Sequence, residues 1–140
     1  MNEWQWYALG SAFFAGLTAV LAKVGVAEIS SNVATWIRAM VIVLILSVFL
    51  FVRREGIHPS ALHSRSLIFL VLSAVAAGFS WLCYFRALQM GPASIVASID
   101  KLSLVFTVLL AAFFLSEHPS GWQWGGVVLM SCGALLIVLK

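Results

Sequence analysis

The 140-residue sequence predicts an all-α, polytopic membrane protein with five transmembrane helices. Three observations carry that prediction. Apolar residues make up 63% of the chain and charged residues 9%, with a mean hydropathy of +1.08, whereas soluble domains hold about 45–50% apolar and about 25% charged residues. So little charge cannot clothe a water-exposed surface, and lipid must act as the solvent. Five apolar stretches approach the ~20 residues that cross a hydrocarbon core of about 30 Å. Short polar or Gly/Pro-containing breaks separate them, apart from a single longer loop.

The first stretch covers about residues 4–22 and stops at Lys23. The second follows Ser30-Ser31-Asn32, covers 33–52 and stops at Arg53-Arg54. A loop of 14 residues, Arg53 to Ser66, leads to the third at 67–88. Gly91-Pro92 opens the fourth, 93–115, which Asp100-Lys101 interrupts. Pro119-Ser120-Gly121 separates it from the fifth, 122–139. Backbone polar groups in lipid must be satisfied within their own segment, which makes these stretches helices. Barrel strands would be about 10 residues long and would alternate in polarity, and Val41-Ile42-Val43-Leu44-Ile45-Leu46 does not. Residues 1–140 therefore read as a single transmembrane domain.

An odd number of crossings puts the N-terminus and the loops after the second and fourth helices on one side. Trp4, Trp6, Trp122 and Trp124 then gather at that interface, where indole rings anchor. Small residues recur at helical spacing in Ser11/Ala15/Ala19, Ala74/Gly78 and Gly121/Gly125, which permits close helix packing in lipid. Cys83 and Cys132 sit in apolar runs and read as packing residues. Met1-Asn2-Glu3-Trp4 lacks the positive start of a cleavable signal peptide.

Orientation follows Lys and Arg in short loops. Arg53, Arg54 and Arg65 lie on the N-terminal side, and Lys23, Arg86 and Lys140 on the other. That balance leaves two readings open. Either other features set one orientation, or copies insert both ways and pair antiparallel, generating the inverted repeat of many secondary transporters.

Within or near the spans lie Arg38, Arg86, Asp100 and Lys101. An ionisable residue at a helix centre costs about 2.5–3.5 kcal/mol on insertion scales, and such residues mark substrate or proton routes. Counted along their helices, all four fall in one leaflet. Asp100 and Lys101 point about 100° apart and do not face each other, so each needs a partner elsewhere. Asp100 is expected to meet Arg38 or Arg86, and Lys101 to point to a cavity or a partner chain. The Asp100 face carries Ser103, Thr107 and Ala111, and the Arg38 face Ser31, Ala34 and Thr35; together the two stripes could line a wet cavity. A buried ion-pair network holding helices together is the competing account. Trp36 and Trp81 are candidate aromatic walls. Glu117 and His118 read as interfacial, while His58 and His63 lack a ligand set. No nucleophile–base pair, phosphate loop or metal cage is legible, so neither an enzyme nor a cofactor or metal is expected. Eight Lys/Arg are too few for a nucleic-acid surface.

The run Phe85-Arg86-Ala87-Leu88-Gln89-Met90-Gly91-Pro92-Ala93-Ser94 leads to Ala111-Ala112-Phe113-Phe114-Leu115-Ser116-Glu117, then Gly125-Gly126-Val127-Val128-Leu129 and Gly133-Ala134-Leu135-Leu136. With Lys23-Val24-Gly25 and Arg38, this order resembles the EamA-type repeat of the drug/metabolite transporter superfamily. The resemblance implies a five-helix repeat, usually duplicated to ten helices of inverted topology, that moves amino acids, nucleotide-related metabolites, sugar conjugates or drugs. One repeat alone implies half of an inverted-repeat transporter that assembles as a dimer. Leu104 stands where many such repeats have proline, and Asp100-Lys101 is not general to them.

The expected function is a small-molecule transporter of the inner (plasma) membrane, facilitative or coupled to protons or another ion. Its partners would be the lipid bilayer, a small-molecule substrate, and a second copy or a paralogous half. Asp100, Lys101, Arg38, Arg86 and Thr107 would form the pathway. A non-transporting subunit or regulator of a larger complex, and a flippase for lipid-linked intermediates, are the alternatives.

Overall fold

A computed structural model describes residues 3–56 and 63–139. Within them the chain is helical: α1 Glu3–Gly25, α2 Ser31–Arg53, α3 Ser64–Met90, α4 Ala93–Asp100, α5 Ser103–Phe114 and α6 Gly121–Val138. Among the described residues five spans are long and apolar enough to cross a bilayer, because α4 and α5 together make one, Ala93–Phe114. The ends of α1, α2 and α3 run past the apolar stretches into Lys23, Ser31 and Ser64. Hydropathy reports where lipid begins, whereas a helix continues until its carbonyls and amides find other partners. His58 and Lys140 lie outside the described residues.

The chain divides into two compact units, Ala22–Gln89 and Met1–Leu21 with Met90–Lys140. In Ala22–Gln89 the tightest packing lies around Val26, Phe85 and Leu88, which are 1%, 3% and 0% exposed. The side chain of Ser30 caps α2 by accepting from the Val33 amide at 3.4 Å. Ser31, Ala34 and Thr35 are buried, and the Thr35 hydroxyl donates to the Ser31 carbonyl at 2.8 Å. This stripe packs against protein instead of lining a wet cavity with Arg38, since small residues let a neighbour approach closely. At its other end α2 turns through Arg54 at φ 54°, with Arg54 N–H donating to the Phe51 carbonyl and Glu55 N–H to the Leu50 carbonyl, both at 3.1 Å. That is a Schellman closure with arginine where glycine is usual.

In the second unit α6 opens with a capping box. The Ser120 hydroxyl accepts from the Gln123 amide at 3.4 Å, and the Gln123 carboxamide oxygen accepts from the Ser120 amide at 2.6 Å. The S-x-x-Q spacing satisfies two otherwise orphaned donors. Helix α6 packs mainly against α4 and far less against α5. Most large apolar side chains face outward, as Leu44 at 64% and Leu70 at 65% exposure illustrate. In lipid that exposure carries no penalty.

Candidate functional site

The fourth span is discontinuous where the charges sit. Helix α4 ends at Asp100 and α5 begins at Ser103. A continuous α-helix would direct the amides of Leu102, Leu104 and Val105 to the carbonyls of Ser98, Asp100 and Lys101. They bond instead to Ile99, Lys101 and Leu102, at 2.9, 3.1 and 3.0 Å. Lys101 and Leu102 have ψ of −15° and −17°, close to 3₁₀ geometry. The three-residue spacing takes from the Ser98 and Asp100 carbonyls the amides they would otherwise accept. No proline is involved, since Leu104 occupies the position where the resemblance implies one.

This break changes the side-chain register. A 3₁₀ turn advances about 20° more per residue than an α-helix. The expected single stripe from Asp100 to Thr107 and Ala111 is therefore rotated at its middle. Asp100 and Lys101 are exposed. Thr107 donates its hydroxyl to the Ser103 carbonyl at 2.9 Å and lines a groove beside α5 and α6.

That groove has a volume of about 690 Å³. Leu104, Thr107, Val108 and Ala111 form one wall and Gly126, Val127 and Met130 the other, with Glu117, His118 and Gln123 also in the lining. It follows from α6 packing on α4 while α5 stands away from it. Glu117, His118 and Gln123 were not among the sequence candidates for the pathway. Their placement in one Gly/Pro-bounded turn and the following capping box was the available signal.

In Ala22–Gln89 the structure joins Arg38 to Trp81. The Arg38 guanidinium carbon lies 4.8 Å from the centroid of the Trp81 ring and 5.4 Å from that of Phe85. Trp81 and Phe85 are four residues apart and share one face of α3. Trp36, two residues from Arg38, points elsewhere and is 64% exposed. Arg86 is exposed and donates to the Gln89 carboxamide oxygen at 3.0 Å. The Gln89 amide nitrogen donates to the carbonyls of Ile29 at 3.1 Å and Val26 at 3.5 Å. Arginine can only donate and carbonyls can only accept, so this assignment of the Gln89 amide is self-consistent. Sequence reasoning missed Gln89 and Phe85 as partners, because each acts across a gap of tens of residues.

Residues 2–139 match the EamA-like transporter family. The chain belongs to that family. An uncharacterized transporter in the cobO 3′ region of Sinorhizobium sp is 46% identical over 138 residues, spanning 99% of this chain and 98% of the relative. An uncharacterized protein of Methanocaldococcus jannaschii is 29% identical over 129 residues, spanning 92% of this chain and 91% of the relative. No solved structure matches. As an EamA-like membrane protein with five spans apolar enough to cross a bilayer, the chain is assigned to transport.

Proposed function

We propose that this EamA-like chain carries a small molecule across the cytoplasmic membrane as a dimer of five-helix repeats. The observation that carries the reading is the exposure of Asp100 and Lys101 at an interruption of a membrane span. Facing lipid, each charge would cost about 2.5–3.5 kcal/mol. Water, substrate, another part of the chain or a second subunit therefore covers them. Diverted carbonyls beside a break are characteristic of transport sites, where irregular backbone is tolerated only if it lines a cavity or is buried in protein. Thr107, on the same span, contributes a further hydroxyl to the pathway. Both relatives match this chain over nearly their whole length, so they too have the length of one repeat. The even division of Lys and Arg between the two sides favours antiparallel pairing, and Asp100 is the carboxylate suited to proton coupling.

The test uses the full chain in proteoliposomes, with uptake of labelled carboxylates, amines and neutral solutes measured against an imposed pH gradient. Oligomeric state is read by light scattering, and topology by C-terminal reporters. The expected result is a dimer, reporters on both membrane faces, and uptake that collapses in Asp100→Asn while the dimer persists. A monomer that transports, or an Asp100→Asn variant with unchanged uptake, removes this reading.

A further inference from the structure

Arginine inside a span normally meets a carboxylate or a ladder of carbonyls. Arg38 does neither within Ala22–Gln89. It is half-buried, stands over Trp81 and Phe85 and interacts electrostatically with Tyr84, but no hydrogen bond from it to an acceptor is found among the described residues of that unit. Ring faces attract the positive charge, but they accept none of its five N–H groups in the ordinary sense.

The position is built. Arg38 lies about 10 Å along α2 from Ser31, while Trp81 and Phe85 lie about 14 Å and 8 Å from the Met90 end of α3. The Gln89 bonds to Val26 and Ile29 hold the start of α2 beside that same end of α3. Phe85 is 3% exposed and so gives the cation a fixed floor. The guanidinium is thus steadied by its plane while its edges keep their donors. Below the headgroup level those donors need acceptors, and one with two oxygens in a plane matches the fork best. A carboxylate fits that fork with two parallel charge-assisted bonds, which an ammonium cannot reproduce.

We infer that Arg38, cradled by Trp81 and Phe85, is the binding fork for a carboxylate group on the transported molecule. This rests on the transporter reading and narrows it to carboxylate-bearing substrates. The neighbouring rings favour an apolar or aromatic body attached to that group.

The test matches three probes of nearly equal shape, benzoate, benzamide and benzylamine, against the purified full-length protein in nanodiscs. Binding is followed by isothermal titration at one ionic strength, and oligomeric state is checked for every variant. Benzoate is expected to bind about tenfold or more tightly than benzamide. Arg38→Lys, which keeps the charge and the fold, is expected to lose about tenfold for benzoate and little for benzamide. Equal affinity for benzoate and benzamide overturns the inference, as does an Arg38→Lys variant that binds benzoate like the parent. If selectivity for benzoate emerges only in Asp100→Asn, Arg38 is an internal ion-pair partner and the inference fails. Preference for benzylamine, with uptake of amines in proteoliposomes, overturns the carboxylate assignment while leaving the transporter reading standing.

Discussion

The Lys23 ammonium donates a 2.6 Å hydrogen bond to the main-chain carbonyl of Leu88, so the last turn of α1 closes the last turn of α3. The final carbonyls of a helix have no partner within it, and a lysine near them satisfies one while complementing the helix dipole. Leu88 is fully buried, which leaves its carbonyl poor access to water. Lys23, counted in the sequence as an orientation charge, is also a structural clamp.

Replacing Lys23 by methionine keeps the aliphatic stem and removes the donor. The expected loss is about 1–3 kcal/mol, the range for stranding a buried acceptor. Urea or thermal unfolding in detergent reads it directly. Lys23→Arg should recover part of the loss, whereas a methionine variant as stable as the parent would show that the bond contributes nothing.

Gln89 joins α3 to the turn between α1 and α2 while holding Arg86 at the other end of its carboxamide. Gln89→Glu preserves shape and places an acceptor against the carbonyls of Val26 and Ile29. A destabilisation of about 1–3 kcal/mol is expected, despite the added attraction to Arg86. Gln89→Met, which removes polarity without repulsion, should cost less. The order of the two midpoints is the measurement, and the reverse order would refute the assigned contacts.

Leu104 is the second residue of α5, and its amide bonds at three-residue spacing to Lys101. Proline there removes one 3.1 Å bond at a point where the helix is already interrupted. Leu104→Pro should therefore cost about 1 kcal/mol. Leu110→Pro, in the middle of α5, should cost about 3 kcal/mol or more. Comparing folded yield and thermal midpoint of the two variants checks whether the span is broken at 101–102.

Arg54 holds φ 54° in the turn that closes α2. A residue with a Cβ in that region is disfavoured by about 1–2 kcal/mol, and glycine is not. Arg54→Gly is expected to stabilise the fold by about 0.5–1 kcal/mol after the added chain entropy of glycine is subtracted. A lowered melting temperature would show that the arginine side chain contributes more than its strain.

Much of this molecule was legible without coordinates. Spans of Leu, Ile, Val and Phe bounded by Lys23, Arg53-Arg54, Gly91-Pro92 and Pro119 state their own length, because transfer into lipid adds up residue by residue along the chain. Asp100-Lys101 was visible as a charged interruption of the fourth apolar stretch, but not as a break in its helix. The small stripe Ser31, Ala34 and Thr35 was visible as a face of α2, but whether it met water or protein was not.

What sequence alone determined, then, is the quantity that depends on neighbours in the chain: five crossings, their order, and the charged pair that interrupts one of them. Only the folded arrangement decided that the fourth span winds tighter at 101–105 without a proline, that Arg38 rests on Trp81 and Phe85, and that Lys23 and Gln89 tie α3 to the turn before α2. The physical reason is range. Hydropathy is a local sum, whereas a cation over a ring or an amide on a distant carbonyl exists only once packing has brought remote segments within a few ångströms.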